Sequence, residues 1–270
     1  MMLDCLINGE KTSSISVEDR GLQYGDGLFE TLLWSNNQAL MFNAHYQRMQ
    51  TGARALQLPM PDIAGWLRDI QSLQKDDRCV IKLILTRGAS GRGYAIPEHA
   101  TVTRIALAYA MPASVYPEQG LKLKVCHTPV SENSTLAGIK HLNRLENVLA
   151  RSELLDCHEG LMLDRNSNVI EATQSNLFGV KDNTLITPAL TASGIKGIVR
   201  QWLMDKALET GVSCQERDLP LAELQQVDEL LLCNSVMGIR RVSQLEQKNY
   251  VRTDMYQYFK QLYQQEFFSS

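Results

Sequence analysis

The sequence predicts an α+β protein of two domains. Three observations carry this reading. The first third of the chain mixes strand-like and helix-like stretches. The segment 111–120, with Pro112, Pro117 and a terminal Gly120, reads as a linker. At 270 residues the chain is long enough for two cores, and its 44% apolar content is ordinary for a globular protein. The expected division is a smaller N-terminal domain at 1–110, the linker at 111–120 and a larger domain at 121–270.

The elements follow in order. Residues 4–9 read as a strand entering a turn. Residues 28–34 and 38–42, separated by Ser35, Asn36 and Asn37, read as a hairpin. Helical periodicity runs from 45 to 56 and again from 63 to 73, with Pro59 and Pro61 between them. Residues 79–85 and 103–109 are apolar strands bracketing a Gly-, Ser- and Pro-rich stretch at 87–100. Beyond the linker, 121–126 alternates as a strand. Residues 143–157 are spaced as an amphipathic helix. Residues 159–188 read as a meander with turns at 164–168 and 181–183. A helix at 198–210 is closed by Gly211, 229–234 reads as a buried strand, and 254–265 as a last helix.

Composition excludes several classes. A formal charge of −3 gives no global field for nucleic acid or anionic membranes, so any anion site is local. Six cysteines are scattered without CxxC or zinc-like spacing, which fits free thiols in a reducing compartment. The five histidines show no metal spacing, so no metal is expected. No apolar run approaches the ~20 residues of a membrane span. The N-terminus lacks the cationic start and long apolar stretch of a secretory signal, so a cytoplasmic location is expected.

Two residues carry chemistry. Lys140 lies in Leu136-Ala-Gly-Ile-Lys-His-Leu-Asn-Arg144, and Glu171 in Val169-Ile-Glu-Ala-Thr-Gln-Ser-Asn-Leu-Phe178. A lysine beside apolar neighbours can lose its proton and form an imine with a carbonyl compound. A carboxylate elsewhere can keep a pyridine nitrogen protonated. Together they are the minimum protein equipment for pyridoxal 5′-phosphate (PLP) chemistry. Gly25-Asp-Gly27 lacks the spacing of a dinucleotide loop and reads as a tight turn.

Five blocks occur in order: Asp19-Arg-Gly-Leu-Gln-Tyr-Gly-Asp-Gly-Leu-Phe-Glu-Thr31, Ala44-His-Tyr-Gln-Arg-Met49, the Lys140 segment, the Glu171 segment and Gly194-Ile-Lys-Gly-Ile-Val-Arg200. They resemble the signature blocks of fold-type IV PLP enzymes, the group of branched-chain and D-amino-acid aminotransferases. The resemblance runs from about Leu6 to about Val242. Within the group, Ala137-Gly-Ile-Lys-His-Leu-Asn-Arg-Leu-Glu146 and Thr86-Arg-Gly-Ala-Ser-Gly-Arg-Gly-Tyr94 look most like its carbon–oxygen lyases. A D-amino-acid or branched-chain aminotransferase is the alternative.

The resemblance implies a sandwich-like α/β N-terminal domain, a pseudo-barrel C-terminal domain and a homodimer. It implies that Lys140 bonds the cofactor and acts as base, and that Glu171 partners the pyridine nitrogen. The phosphate would be held by Arg48, by the helix start at Gly197, Ile198 and Val199, and by Ser235. Ser235 sits in Cys233-Asn-Ser-Val-Met-Gly238, which departs from the aminotransferase pattern. Arg92 and Tyr94 would bind a small anionic substrate. Thr31 would sit near the cofactor, with Thr31 or Lys140 as proton donor.

Overall fold

The computed structural model describes residues 1–99, 101–112 and 116–268. Positions 113–115 of the expected linker lie outside the described residues. The chain forms two compact units, Met1–Pro112 with Ile139–Asn143, and Ala113–Gly138 with Arg144–Ser270. The sequence reading assigns all of 121–270 to one domain, so the return of 139–143 to the first unit corrects it. The reason is backbone pairing, described below, which periodicity does not reveal.

In the first unit, chain order is β1 (Met2–Ile7), α1 (Arg20–Tyr24), β2 (Gly27–Ser35), β3 (Gln38–Ala39), α2 (Phe42–Ala55), α3 (Ile63–Ser72), β4 (Cys79–Thr86) and β5 (Thr103–Ala110). Among the described residues the strands make one antiparallel sheet in the order β1-β5-β4-β2-β3. Strand side chains alternate between the two faces. Leu28 and Leu32 of β2 and Ile81, Leu83 and Leu85 of β4 share one face, and α2 and α3 cover it with Met49, Ala53, Trp66 and Ile70. Fully burying one such leucine stabilises the fold by ~1.5–3 kcal/mol.

Three local readings change. The strand expected through Phe42 ends at Ala39, because Met41 takes a left-handed conformation and starts α2. The glycine turn before β2 also closes a helical turn: Asp19 caps α1 at its start, and Gly25, at φ +65°, ends it. Residues 139–143 add to the free side of β2. The Phe29 N–H donates to the Lys140 carbonyl at 3.0 Å, and the Leu142 N–H to the Gly27 carbonyl at 3.0 Å.

In the second unit the order is β6 (Leu121–Val125), α4 (Leu145–Ser152), β7 (Glu159–Leu163), β8 (Val169–Ala172), β9 (Asn176–Lys181), β10 (Thr184–Pro188), α5 (Ile198–Glu209), β11 (Cys214–Arg217), α6 (Leu221–Leu224), β12 (Glu229–Asn234), β13 (Gly238–Leu245), β14 (Lys248–Asn249) and α7 (Asp254–Phe268). Among the described residues these strands form one mixed sheet, β11-β10-β9-β12-β13-β6-β7-β8, with β14 on β13. One apolar cluster takes Leu121, Leu161, Val169, Leu177, Ile186, Leu230 and Val242 from seven of these strands, so the sheet curls around a shared interior. On the other side of β12 and β13 lie α5 and α7, where the Trp202 and Tyr263 rings meet at 5.1 Å.

The expected meander is instead two hairpins, β7–β8 and β9–β10, in separate parts of the sheet. Strand β12 pairs with β9 and separates them; it is buried almost end to end, as its apolar run requires. The helix expected at 143–157 is confined to α4. Among the described residues no helix is long and apolar enough to cross a membrane.

Gly27 is where β2, β4 and the added segment crowd together. A Cβ there would lie 2.4 Å from the Leu85 carbonyl oxygen and 2.8 Å from Leu142 Cδ1. Gly27→Ala is expected to destabilise the first unit by ~1–3 kcal/mol through overpacking, read as a lower urea midpoint. An unchanged midpoint would show that the added segment is not held against β2.

Candidate active site

The first unit gathers its candidate residues around the start of β2. Lys140 Nζ lies 4.4 Å from the Phe29 ring centroid. Thr31, two residues on, shares the face of Phe29. Opposite Thr31 in β4 stands Lys82, whose Nζ is 5.2 Å from the same centroid. Burial lowers the Lys82 pKa.

Between Phe29 and Thr31, Glu30 points to the α2 side and is 2% exposed. Two α2 residues three apart meet it. Arg48 donates from Nε to Glu30 Oε1 at 2.8 Å and from a terminal nitrogen to Oε2, while His45 Nδ1 shares Oε2. Burial pushes the Glu30 carboxyl up, but the charges of Arg48 and His45 outweigh it and hold the pKa at about 2. His45 is driven down by burial, against Glu30, and the positive charges of Arg48 and Lys140 add to that. His45 Nδ1 faces Glu30 as the donor, since an ionised carboxylate only accepts. Its buried Nε2 has no hydrogen-bond partner among the described residues.

Arg92 and Tyr94 lie apart from this group, in the loop that follows β4, and both are exposed. Buried Arg20 tethers the loop: it donates to the Gly93 carbonyl at 2.8 Å, and the Tyr24 ring meets Tyr94 at 5.3 Å.

The second unit groups the remaining candidates around Ile195. Glu171, in β8 and 4% exposed, accepts the Ile195 N–H at Oε2 over 2.8 Å. Asn176 Nδ2 donates to the Ile195 carbonyl at 2.8 Å. Gly138 completes the clamp, giving its N–H to the Gly194 carbonyl and taking that of Lys196. Arg144 faces the charges of Glu171 and Glu146; burial nevertheless lowers its pKa.

The clamped loop runs directly into α5. Gly197 is its N-cap and makes no side-chain cap bond. The N–H groups of Ile198 and Val199 have no partner within the helix, and the helix dipole adds partial positive charge there. Gly197 is needed for this close approach, since a Cβ would lie 1.9 Å from Asn176 Oδ1. Ser235 is half-buried in the turn after β12. The turn's hydrogen bonds are made by Asn234, whose Oδ1 accepts from Val236 and Met237 and whose Nδ2 donates to the Gln174 carbonyl.

Sequence reasoning missed Glu30, Lys82, Asn176 and Asn234. A signal existed for Glu30. It interrupts the buried stripe Leu28, Leu32, and a charge on such a stripe needs a partner.

The family profile of amino-transferase class IV matches residues 27–245. The chain is 35% identical over 244 residues to aminodeoxychorismate lyase of Vibrio harveyi, covering 88% of this chain and 89% of that one. It is 30% identical over 246 residues to a putative branched-chain-amino-acid aminotransferase of Methanocaldococcus jannaschii, covering 88% and 84%. The crystal structure of 4-amino-4-deoxychorismate lyase from Pseudomonas aeruginosa superposes with a TM-score of 0.90 at 38% identity, covering 97% of this chain and 98% of that one.

The Glu30 cluster makes a pH prediction. A carboxyl held below its ordinary 4.5 adds stability that is fully present above that value and is lost as pH falls toward about 2. Unfolding midpoints of the native protein should therefore fall across that window. Glu30→Gln should flatten this dependence and cost ~3–5 kcal/mol at neutral pH, because it removes the buried charge that faces Arg48 and His45. An equally steep acid limb in the variant would place the titrating group elsewhere.

Proposed function

Because the chain belongs to the class IV aminotransferase family, we propose that it binds PLP and converts 4-amino-4-deoxychorismate to 4-aminobenzoate and pyruvate, a step toward folate. The observation that carries this reading is the near-full-length likeness, at 35% and 38% identity, to two lyases of that name.

The donor set fits the cofactor. Lys140 would bond its aldehyde. Glu171, with Oε2 already fixed by Ile195, would present its carboxylate to the ring nitrogen. Arg48, the open N–H groups at Gly197, Ile198 and Val199, and Ser235 would hold the phosphate. Bound in this way, PLP supplies an electron sink beside the substrate's amine-bearing carbon.

The residues then do the rest. Arg92 and Tyr94 bind and orient the anionic substrate. Lys140, freed when the substrate amine takes its place, removes the proton from the amine-bearing ring carbon. The carbon–oxygen bond to the enolpyruvyl group breaks with its electron pair, and the ring becomes aromatic. Thr31 or Lys140 delivers the proton that enolpyruvate needs at its methylene carbon.

A second reading, an aminotransferase for D- or branched-chain amino acids, is favoured by the 30% match to a putative enzyme of that class. It shares the lysine and the carboxylate and differs in where the proton returns. Chromatography after incubation with 4-amino-4-deoxychorismate separates the two. Equal amounts of 4-aminobenzoate and pyruvate are expected. Rapid transamination with 2-oxoglutarate and no 4-aminobenzoate would establish the aminotransferase instead.

We also read the enzyme as a cytoplasmic homodimer. Six unpaired cysteines suit a reducing compartment. Leu145, Val148 and Leu149 of α4, with Leu155 beyond it, expose apolar side chains that a subunit contact of ~1,000 Å² or more would cover. Sedimentation at low micromolar concentration should show a dimer. A fully active monomer there would rule it out.

A further inference from the structure

Glu159 stands in β7, the strand paired with the β8 strand that carries Glu171, and is 2% exposed. Its ion pair is with Arg151, 3.2 Å away on a side chain that is itself half exposed. Two hydroxyls meet its oxygens more closely. Thr173 Oγ1 donates to Oε1, and Ser175 Oγ donates to Oε2 at 3.0 Å. Burial raises the Glu159 pKa, against the pull of these hydroxyls and of Arg151. A carboxylate in such a place is costly to keep and adds little stability. What it can add is a fixed geometry.

Both hydroxyls belong to one turn. Residues 172–175 join β8 to β9, and the turn is closed by the Ala172 N–H donating to the Ser175 carbonyl at 2.7 Å. Glu171 precedes the turn and Asn176 follows it. These two side chains grip the same residue, Ile195, one at its N–H and one at its carbonyl. The turn also holds the segment that carries Ser235. Asn234 Nδ2 donates to the Gln174 carbonyl at 3.2 Å and to Ser175 Oγ at 3.4 Å. Glu171, the loop that opens α5 and the Ser235 turn therefore take their spacing from 172–175, and 172–175 is set against Glu159.

We infer that Glu159 is a positioning residue for the cofactor. Through Thr173 and Ser175 it fixes the Glu171 carboxylate, which would meet the ring nitrogen, relative to Gly197 and Ser235, which would meet the phosphate. The inference rests on the PLP reading above and adds to it the group that fits both ends of one rigid ligand at once. The ring nitrogen and the phosphate of PLP are held apart by a flat ring, so a turn that shifts can serve one end and lose the other.

The test is the Kd of PLP, by equilibrium dialysis of the full chain, with the unfolding midpoint of the same samples freed of cofactor. Glu159→Ala should raise Kd about 10- to 100-fold, as removing the outer partner of a metal ligand does. Thr173→Val combined with Ser175→Ala removes both hydroxyls and should do the same. This pair carries the test where Glu159→Ala fails to fold. Adding Glu159→Ala to the pair should change Kd by less than about threefold, because the three residues act as one unit. Thr173→Ser, made with Ser175 intact, restores the hydroxyl without the methyl and should bind PLP within about threefold of the unmodified chain. A merely structural Glu159 would lower the unfolding midpoint and leave Kd unchanged, and that result overturns the assignment. So does a Thr173→Ser variant that binds PLP as weakly as the pair. If the unmodified chain binds PLP and the variants bind it equally well, only the assignment falls. If the unmodified chain binds no PLP, the cofactor reading falls and the assignment with it.

Discussion

Two backbone hydrogen bonds, Phe29 to Lys140 and Leu142 to Gly27, hold residues 140–142 against β2 as a single antiparallel bridge, Leu28 opposite His141. The chain enters this segment from Gly138, which belongs to the second unit, and leaves it at Arg144. Each such bond adds only ~1 kcal/mol net. Side-chain burial reinforces them: Ile139 joins the first core with Leu28 and the α2 residues Met49 and Ala53. The Lys140 backbone is thus fixed to a buried strand. A side chain whose backbone is pinned to a strand is oriented more closely than one on a free loop.

Around this strand the protein keeps charges out of water and compensates them unequally. Glu30, Arg48 and His45 meet directly: a carboxylate against a guanidinium, with His45 Nδ1 on the same carboxylate. Removing a partner from such a set costs more than the set contributes, so it specifies geometry more than it adds stability. In the second unit, Glu171 has one oxygen committed to Ile195, and the same loop opens the α5 N-terminus. One clamped backbone segment therefore orients both a carboxylate and a helix start that no side chain caps.

Much of this was legible in the sequence where it depends on local pattern. The apolar run at 229–234 is β12 as expected, and the turn at Asn36 and Asn37, both at positive φ, joins β2 to β3. Strand β13 was missed because Gly238-Ile-Arg-Arg-Val-Ser-Gln-Leu245 does not alternate cleanly. Its neighbour β6 lies more than a hundred residues earlier, and such pairing leaves no local trace. Strand β11, Cys-Gln-Glu-Arg, is a polar edge strand held by parallel bonds to β10. The Lys140 segment was recognised by its residues, but its return to the first sheet is a tertiary choice. Lys82 was unremarkable in sequence, because only the register places it opposite Thr31 and beside Phe29.

Lys140, and no other lysine, should bond the cofactor. The direct measurement is borohydride reduction of the PLP-loaded enzyme, followed by proteolysis and mass spectrometry of the peptides. The phosphopyridoxyl mass is expected on the peptide that contains Lys140. The same mass on a peptide containing Lys82 or Lys196, with the Lys140 peptide unmodified, would contradict it.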